Sequence, residues 1–302
     1  MSYKPKAQAE QGERKNTGIA PNGVAYKYPV PDGGNQAARI SLIVDIGTQE
    51  RPDFEKKDKQ GNVIEVKPQK PAQQVVVFAD LVDQVVDYGG DIGEKQYRLM
   101  LNKNFKGDIE GINFTAVPYR DGDGKLMETG KPWTFHPANM LTKLAKATGN
   151  EHILGVDKDN NMDIGSLLGA GFYADVEVKS VDSGKKKDDG TPIIYNNINF
   201  KGASKLPMVK GKLIEIDELQ VKPLILNHSN VTEDTLPLIR GKVLSMMKLA
   251  KEYEGSKLQQ LLGETQSKPV PEQEPKLDEE FTSSSGDTPS GIFDSFDDDI
   301  PF

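Results

Sequence analysis

The chain has 302 residues, of which 36% are apolar and 28% charged, an apolar share that fits one folded core carrying solvated segments better than a wholly globular chain. It has no cysteine, which excludes disulfides and thiolate metal sites. No stretch approaches the ~18 apolar residues of a membrane span, and the start MSYKPKAQAEQGERK has no apolar signal region, so a cytoplasmic location is expected.

The net charge of −8 is unevenly placed. Residues 265–302 hold ten acidic side chains and two basic ones, and the other 264 residues balance 36 basic against 36 acidic. The low overall charge therefore says nothing against a polyanion-binding surface on the body.

Residues 1–36 are rich in Lys, Gln, Gly and Pro without a period and read as a flexible arm. The first strand signal is ARISLIVDIG at 38–47. A charged stretch over 51–70 reads as a long hairpin loop with NVIEV (62–66) as a short strand. QQVVVFADLV (73–82) is a strong strand, QYRLML (96–101) and INFTAV (112–117) alternate, and DGDG (121–124) signals a turn. Met140, Leu141, Leu144 and Ala145 predict a helix over 137–147, closed by Gly149. SLLGAG (166–171) leads into the alternating strand FYADVEVKSV (172–181). KKKDDG (185–190) is a charged turn, and 192–200 returns as a partner strand.

Over 234–262, Leu236, Ile239, Val243, Met246, Met247, Ala250 and Tyr253 form one stripe of a C-terminal helix. That stripe reads as packing against the core rather than as a dimer seam. Pro, Glu, Ser and Gly then dominate, a linker whose ~33 residues would have an r.m.s. span on the order of 30 Å.

The expected organisation is an arm (1–36), a core (37–228), a C-terminal helix (229–264), a disordered linker (265–296) and an acidic tip (297–302). The expected class is mainly β with additional helices. Short strands with hairpin turns and a helix placed between them suit an OB-fold, a five-stranded partly open barrel, here with insertions. Periodicity alone equally permits a sandwich or another small barrel.

Binding a single nucleic-acid strand requires cations along a groove and exposed aromatic faces on which bases stack. Tyr97 with Arg98, Lys103 with Phe105 and Lys106, Tyr119 with Arg120, Lys131 with Trp133, and Tyr195 with Lys201 interleave the two residue types. Phe78, Phe114, Phe172 and Phe200 stand in apolar strand contexts and read as core.

The chain ends DSFDDDIPF, with Asp297, Asp298 and Asp299 beside Ile300, Pro301 and Phe302. A basic partner surface with a small apolar pocket suits this tip. The ring fills the pocket, a cation takes the α-carboxylate, and rim cations attract the aspartates. This ending closely resembles the C-terminal tip of bacterial single-stranded DNA-binding proteins. The segments at 38–47, 74–82, 97–102, 163–169 leading into 174–178, and 197–207 resemble a phage family of OB-fold single-stranded DNA-binding proteins.

The resemblance implies a non-enzymatic protein of phage DNA replication, recombination or repair in a bacterial host cell. Such a protein coats single-stranded DNA and recruits a polymerase, helicase, primase or nuclease through its tip. Two other readings stay open, namely an interaction protein that mimics the tip and binds no DNA, and a recombination mediator or annealing protein. The roles of the 106–149 insertion and of the helix after Asn230 are not implied by the resemblance.

Other signals are weak. GAGFYA at 169–174 runs into a strand and gives a pyrophosphate no helix N-terminus. DKDNNMD at 157–163 has Met162 where a calcium loop needs Gly. His136, His152 and His228 show no ligand spacing, and no P-loop or nucleophile elbow is present. No cofactor or metal is expected.

Overall fold

The computed structural model describes residues 29–89, 93–102, 109–115, 138–155, 161–186, 190–239 and 241–264. It also gives the backbone of the short strands Gly18–Ile19, Ala25–Tyr26, Asn104–Phe105, Asp108–Ile109, Val117–Pro118 and Trp133–Thr134. The longer strands are β1 (Gly34–Gln49), β2 (Phe54–Lys57), β3 (Val63–Lys67), β4 (Ala72–Asp87) and β5 (Glu94–Met100). After the short β6 (Ile112–Asn113) and helix α1 (Met140–Thr148) come β7 (Gly171–Lys186) and β8 (Pro192–Ser204). The two-residue strands β9 (Met208–Val209) and β10 (Lys212–Leu213), then β11 (Leu224–Leu226), α2 (Gly241–Lys248) and α3 (Lys257–Leu261), complete the chain.

The structure is mainly β. One seven-stranded sheet carries β6-β4-β1-β7-β8 in order, with β5 added to β4 and β11 added in parallel to β1. The other ladders of this sheet are antiparallel. Strand β1 serves two partners along one edge, β7 over residues 34–39 and β11 over 42–44, while β4 runs along the other. Register shifts between Ile40 and Leu42 and between Asp45 and Gly47 bend it, as bulges do. No ladder among the described residues joins β8 to β5 or β6, so the sheet is not closed.

The continuous apolar runs of β1 and β4 follow from burial on both faces. Ala38, Ile40, Ile43, Val75, Val77 and Ala79 face α1 and the inner side of β7, meeting Leu141, Leu144, Phe172 and Val176. Their alternates Leu42, Val44, Ile46, Val76 and Phe78 join Leu226, Val231, Val243, Met247 and Leu258 on the opposite side. Phe78, Phe114 and Phe172 are buried, and Phe200 packs edge-to-face on Phe172 with ring centroids 6.5 Å apart. Helix α1 belongs to the core despite lying within the 106–149 insertion. Asn139 caps it by accepting from Leu141 N at 2.8 Å, and Gly149 closes it in the left-handed region at φ 75°.

The expected continuous helix over 234–262 is broken. The segment forms a 3₁₀ turn (Leu236–Leu238), then α2 and α3, with 249–256 as turns between them. Tertiary bonds win there. Lys251 N donates to Thr48 O at 3.4 Å, and Glu252 accepts from Thr48 N at 2.7 Å, pulling the chain off the helical path. The apolar stripe still packs, with Ile239, Val243, Met247, Ala250 and Tyr253 all buried. No helix among the described residues is long and apolar enough to cross a membrane.

Candidate nucleic-acid interface

Tyr195 and Lys201 share one face of the β7–β8 pair. The ladder between β1 and β7 stops at Gly34 opposite Val176, and β7 and β8 continue together to Lys186 opposite Pro192. Ten residues of β-strand span roughly 33 Å, so this is a long two-stranded ribbon. Its inner positions Val178 and Ile198 pack against the core. Its outer positions pair Glu177 with Asn199, Lys179 with Asn197, and Val181 with Tyr195. Tyr195 is 48% exposed and Val181 43%, so an aromatic face and its apolar neighbour stand open to solvent.

Lys179 and Lys201 are both held by Glu177. Glu177 lies 2.8 Å from Lys201 Nζ and 2.9 Å from Lys179 Nζ. Hydrogen bonds from Lys201 and then Lys179 hold the Glu177 carboxyl below its ordinary range. Asp175, exposed two residues before Glu177 on the same face, balances the second ammonium, so the pair of lysines lies between Tyr195 at one end and Asp175 at the other. Asn197 and Asn199 add neutral amides along the same face. Lys179, Asn197 and Asn199 escaped the sequence reading. The alternation of 172–181 hinted at a polar face, but the β7–β8 register was needed to say which residues share it.

Tyr97 and Arg98 do not join this face. Tyr97 is partly buried against the α1 side of the core. Arg98 lies opposite Asp80 in the β4–β5 ladder, and its Nε donates to Asp80 Oδ1 at 3.0 Å. Ser41 Oγ donates to the same oxygen at 2.7 Å, so Arg98 belongs to a three-strand polar network under the surface. The side chains of Phe105 and Trp133, and the whole of Lys103, Lys106, Tyr119, Arg120 and Lys131, lie outside the described residues, as does the tip from Asp297 to Phe302.

A cavity of about 690 Å³ beside Asp45 is a poor match to a polyanion. It is lined by Phe114, Ile153, Met162 and Ile225 together with Asp45 and Asp163, and no Lys or Arg among the described residues lines it. Burial pushes the Asp45 carboxyl above its ordinary value, even though Gly47 N and Gln73 Nε2 donate to it at 2.9 and 3.0 Å. A second cavity, of about 410 Å³, lies beyond Asp45, with His228, Glu252 and Glu254 in its wall. Two carboxylates in one cavity and three in the other repel phosphate. Among the described residues no group of three or more His, Asp or Glu side chains converges as a metal site would require. Comparison of the chain with protein-family models, with curated proteins and with solved structures returns no match.

Proposed function

We propose that this chain binds single-stranded DNA without sequence preference and uses its acidic, Phe-terminated tip to recruit replication or recombination proteins. The observation that carries the reading is the ending Asp297 to Phe302, held on a segment that contains the whole net charge of the protein. The outer face of β7–β8 supports it with the two components a non-specific strand binder needs, an exposed ring at Tyr195 and the cations Lys179 and Lys201. The strand order supports it too. Five strands run β5-β4-β1-β7-β8, and α1 occupies the connection from β5 to β7, the third and fourth of them in chain order. We read this as an OB-type arrangement left open between β5 and β8. The protein would act in a phage-infected bacterial cell and needs no catalytic group.

Fluorescence anisotropy with labelled oligo-dT and a matched duplex, at two salt concentrations, tests the reading. Preference for the single strand, weakening steeply with salt, is expected. Equal or absent binding of the single strand removes it. Tyr195→Ala is expected to lose ~1–3 kcal/mol of oligonucleotide affinity. Removing residues 297–302 leaves oligonucleotide affinity equal or higher and abolishes partner capture. A pure mimic of the tip binds no oligonucleotide with or without those residues.

A further inference from the structure

The hairpin of β9 and β10 exposes apolar side chains that the fold does not use. Met208 is 66% exposed, Val209 57% and Leu213 58%, three large apolar groups within six residues. Met208 pairs with Leu213 and Val209 with Lys212 across the hairpin, so the first two share one face and Lys212 stands with Val209 on the other. The turn is Lys210-Gly211, with φ of 51° and 79°, the two left-handed residues of a tight hairpin. A non-glycine residue at positive φ is uncommon, and here it sets a cation at the outermost point of the loop.

The root of the hairpin is fixed while its tip is free. Ile214 N donates to Pro207 O at 3.0 Å and closes the base. Leu206 and Ile216 lie against Gly171 on β7. Arg39 then clamps the returning strand, donating to Asp217 O at 2.8 Å, to Ile216 O at 3.2 Å and to Glu218 Oε1 at 2.9 Å. Two-residue strands do not hold a hairpin in water unaided, so this anchorage gives the apolar tip a defined position.

Charge selects the partner. Lys205, Lys210 and Lys212 are exposed, the turn and both strands of the hairpin hold no acid, and the first acids are Glu215, Asp217 and Glu218 on the returning segment at its root. Lys205 reaches Glu151 at 3.4 Å, which leaves Lys210 and Lys212 as the cations of the tip. The other exposed apolar hairpin, β2–β3, has Phe54, Val63, Ile64 and Val66 at its surface. Glu55, Asp58 and Glu65 are interleaved there, and Glu55 and Glu65 pair with Lys57 and Lys67 at 3.2 and 3.0 Å, so its cations stand among acids, whereas the β9–β10 strands and turn hold none. The β9–β10 hairpin also follows directly on β8, whose outer face holds Tyr195 and Lys201.

We infer that the β9–β10 hairpin is a second contact for the same DNA strand, with Met208 and Leu213 inserting beside unstacked bases while Lys210 in the turn and Lys212 on the opposite face meet the phosphates on either side. This rests on the single-strand reading of the β7–β8 face. Apolar wedges of Met or Leu unstack bases in other nucleic-acid complexes, and flanking cations hold the backbone in place.

The test compares the full chain with two double variants, Met208→Ser/Leu213→Ser and Lys210→Gln/Lys212→Gln. All four side chains are exposed, and unchanged melting temperatures check that the fold is intact. Anisotropy with oligo-dT is read across a salt series, together with the fluorescence of an oligonucleotide carrying 2-aminopurine. The apolar variant is expected to weaken binding about tenfold at an unchanged salt slope and to lose the rise in 2-aminopurine emission. The lysine variant should shallow the slope of log K against log salt by about 1.4, from two phosphate contacts at ~0.7 each. If the parent binds oligo-dT and both variants match it, the hairpin contact is wrong and the β7–β8 reading stands. If the parent binds no oligo-dT, both fall. Loss of binding to phosphatidylglycerol vesicles in the apolar variant, with oligonucleotide binding intact, reassigns the hairpin to a lipid surface and overturns the inference.

Discussion

Arg98 is where sequence and register disagree most usefully. Beside Tyr97 it reads as a phosphate contact, whereas the β4–β5 ladder sets it opposite Asp80, with the two side chains only 12% and 4% exposed. Arg98→Ala leaves the Asp80 carboxylate in place, out of water, with the Ser41 hydroxyl at 2.7 Å. Removing one partner of a buried ion pair costs about 3–5 kcal/mol, because the other charge stays desolvated. For an m-value near ~2 kcal/mol/M that lowers the urea midpoint by roughly 2 M, followed by circular dichroism with m unchanged. The double variant Asp80→Leu/Arg98→Met, which removes both charges, should regain most of the loss. Oligonucleotide affinity, measured where each variant is folded, should stay within about twofold of the parent. A stability change under ~1 kcal/mol together with a clear drop in affinity would refute the reasoning and return Arg98 to the DNA-binding surface.

Other substitutions probe the join between β1 and the C-terminal segment, and the polar interior. Gly47 has φ 76°, and an added Cβ would meet Glu252 Oε2 at 2.6 Å, Ala250 Cβ at 2.7 Å and His228 Cε1 at 2.9 Å. Gly47→Ala should cost about 2–4 kcal/mol in thermal or urea unfolding. Gly211→Ala, at φ 79° in open space, should cost only about 1–2 kcal/mol. Asn102 is buried and joins three backbone groups, accepting from Val77 N at 2.8 Å and donating to Val75 O and Glu110 O at 3.0 and 2.9 Å. Asn102→Ala strands those groups, and a loss of about 2–4 kcal/mol in the same assay is expected. Burial, helped by its hydrogen bond to Glu264, pushes the Tyr253 phenol up from 10.0 to about 12. The raised value means that its contribution to stability is complete below pH 10 and is lost as pH climbs towards 12. An ultraviolet titration should show this one tyrosine ionising late, and Glu264→Gln should bring it back towards the others.

Much of the fold was legible. The runs at 38–47 and 73–82 announced strands because β-branched residues crowd both faces, and the structure explains their lack of alternation by the two layers that sandwich β1 and β4. Gly149 marked the end of α1 correctly, since a left-handed C-cap there favours glycine. The C-terminal segment misled because its apolar stripe is genuine and packs, yet Thr48 offers Glu252 and Lys251 stronger partners than a continued helix does. Nothing in a one-dimensional pattern announces a competitor 204 residues away. The break is a tertiary effect.

The candidate site divides in the same way. The sequence by itself determined the tip, the concentration of charge in residues 265–302 and the existence of β7 and β8, because each depends on neighbours along the chain. Only the tertiary structure decided that Tyr195 faces solvent opposite Val181, that Lys179 and Lys201 flank Glu177, that Arg98 is paired with Asp80, and that Met208 and Leu213 stand exposed. Those outcomes hang on strand register, where a slip of one residue exchanges the two faces of a strand, and on which segments return to cover it. Composition sets what each side chain is able to do; the pairing of distant strands sets which of them meet water.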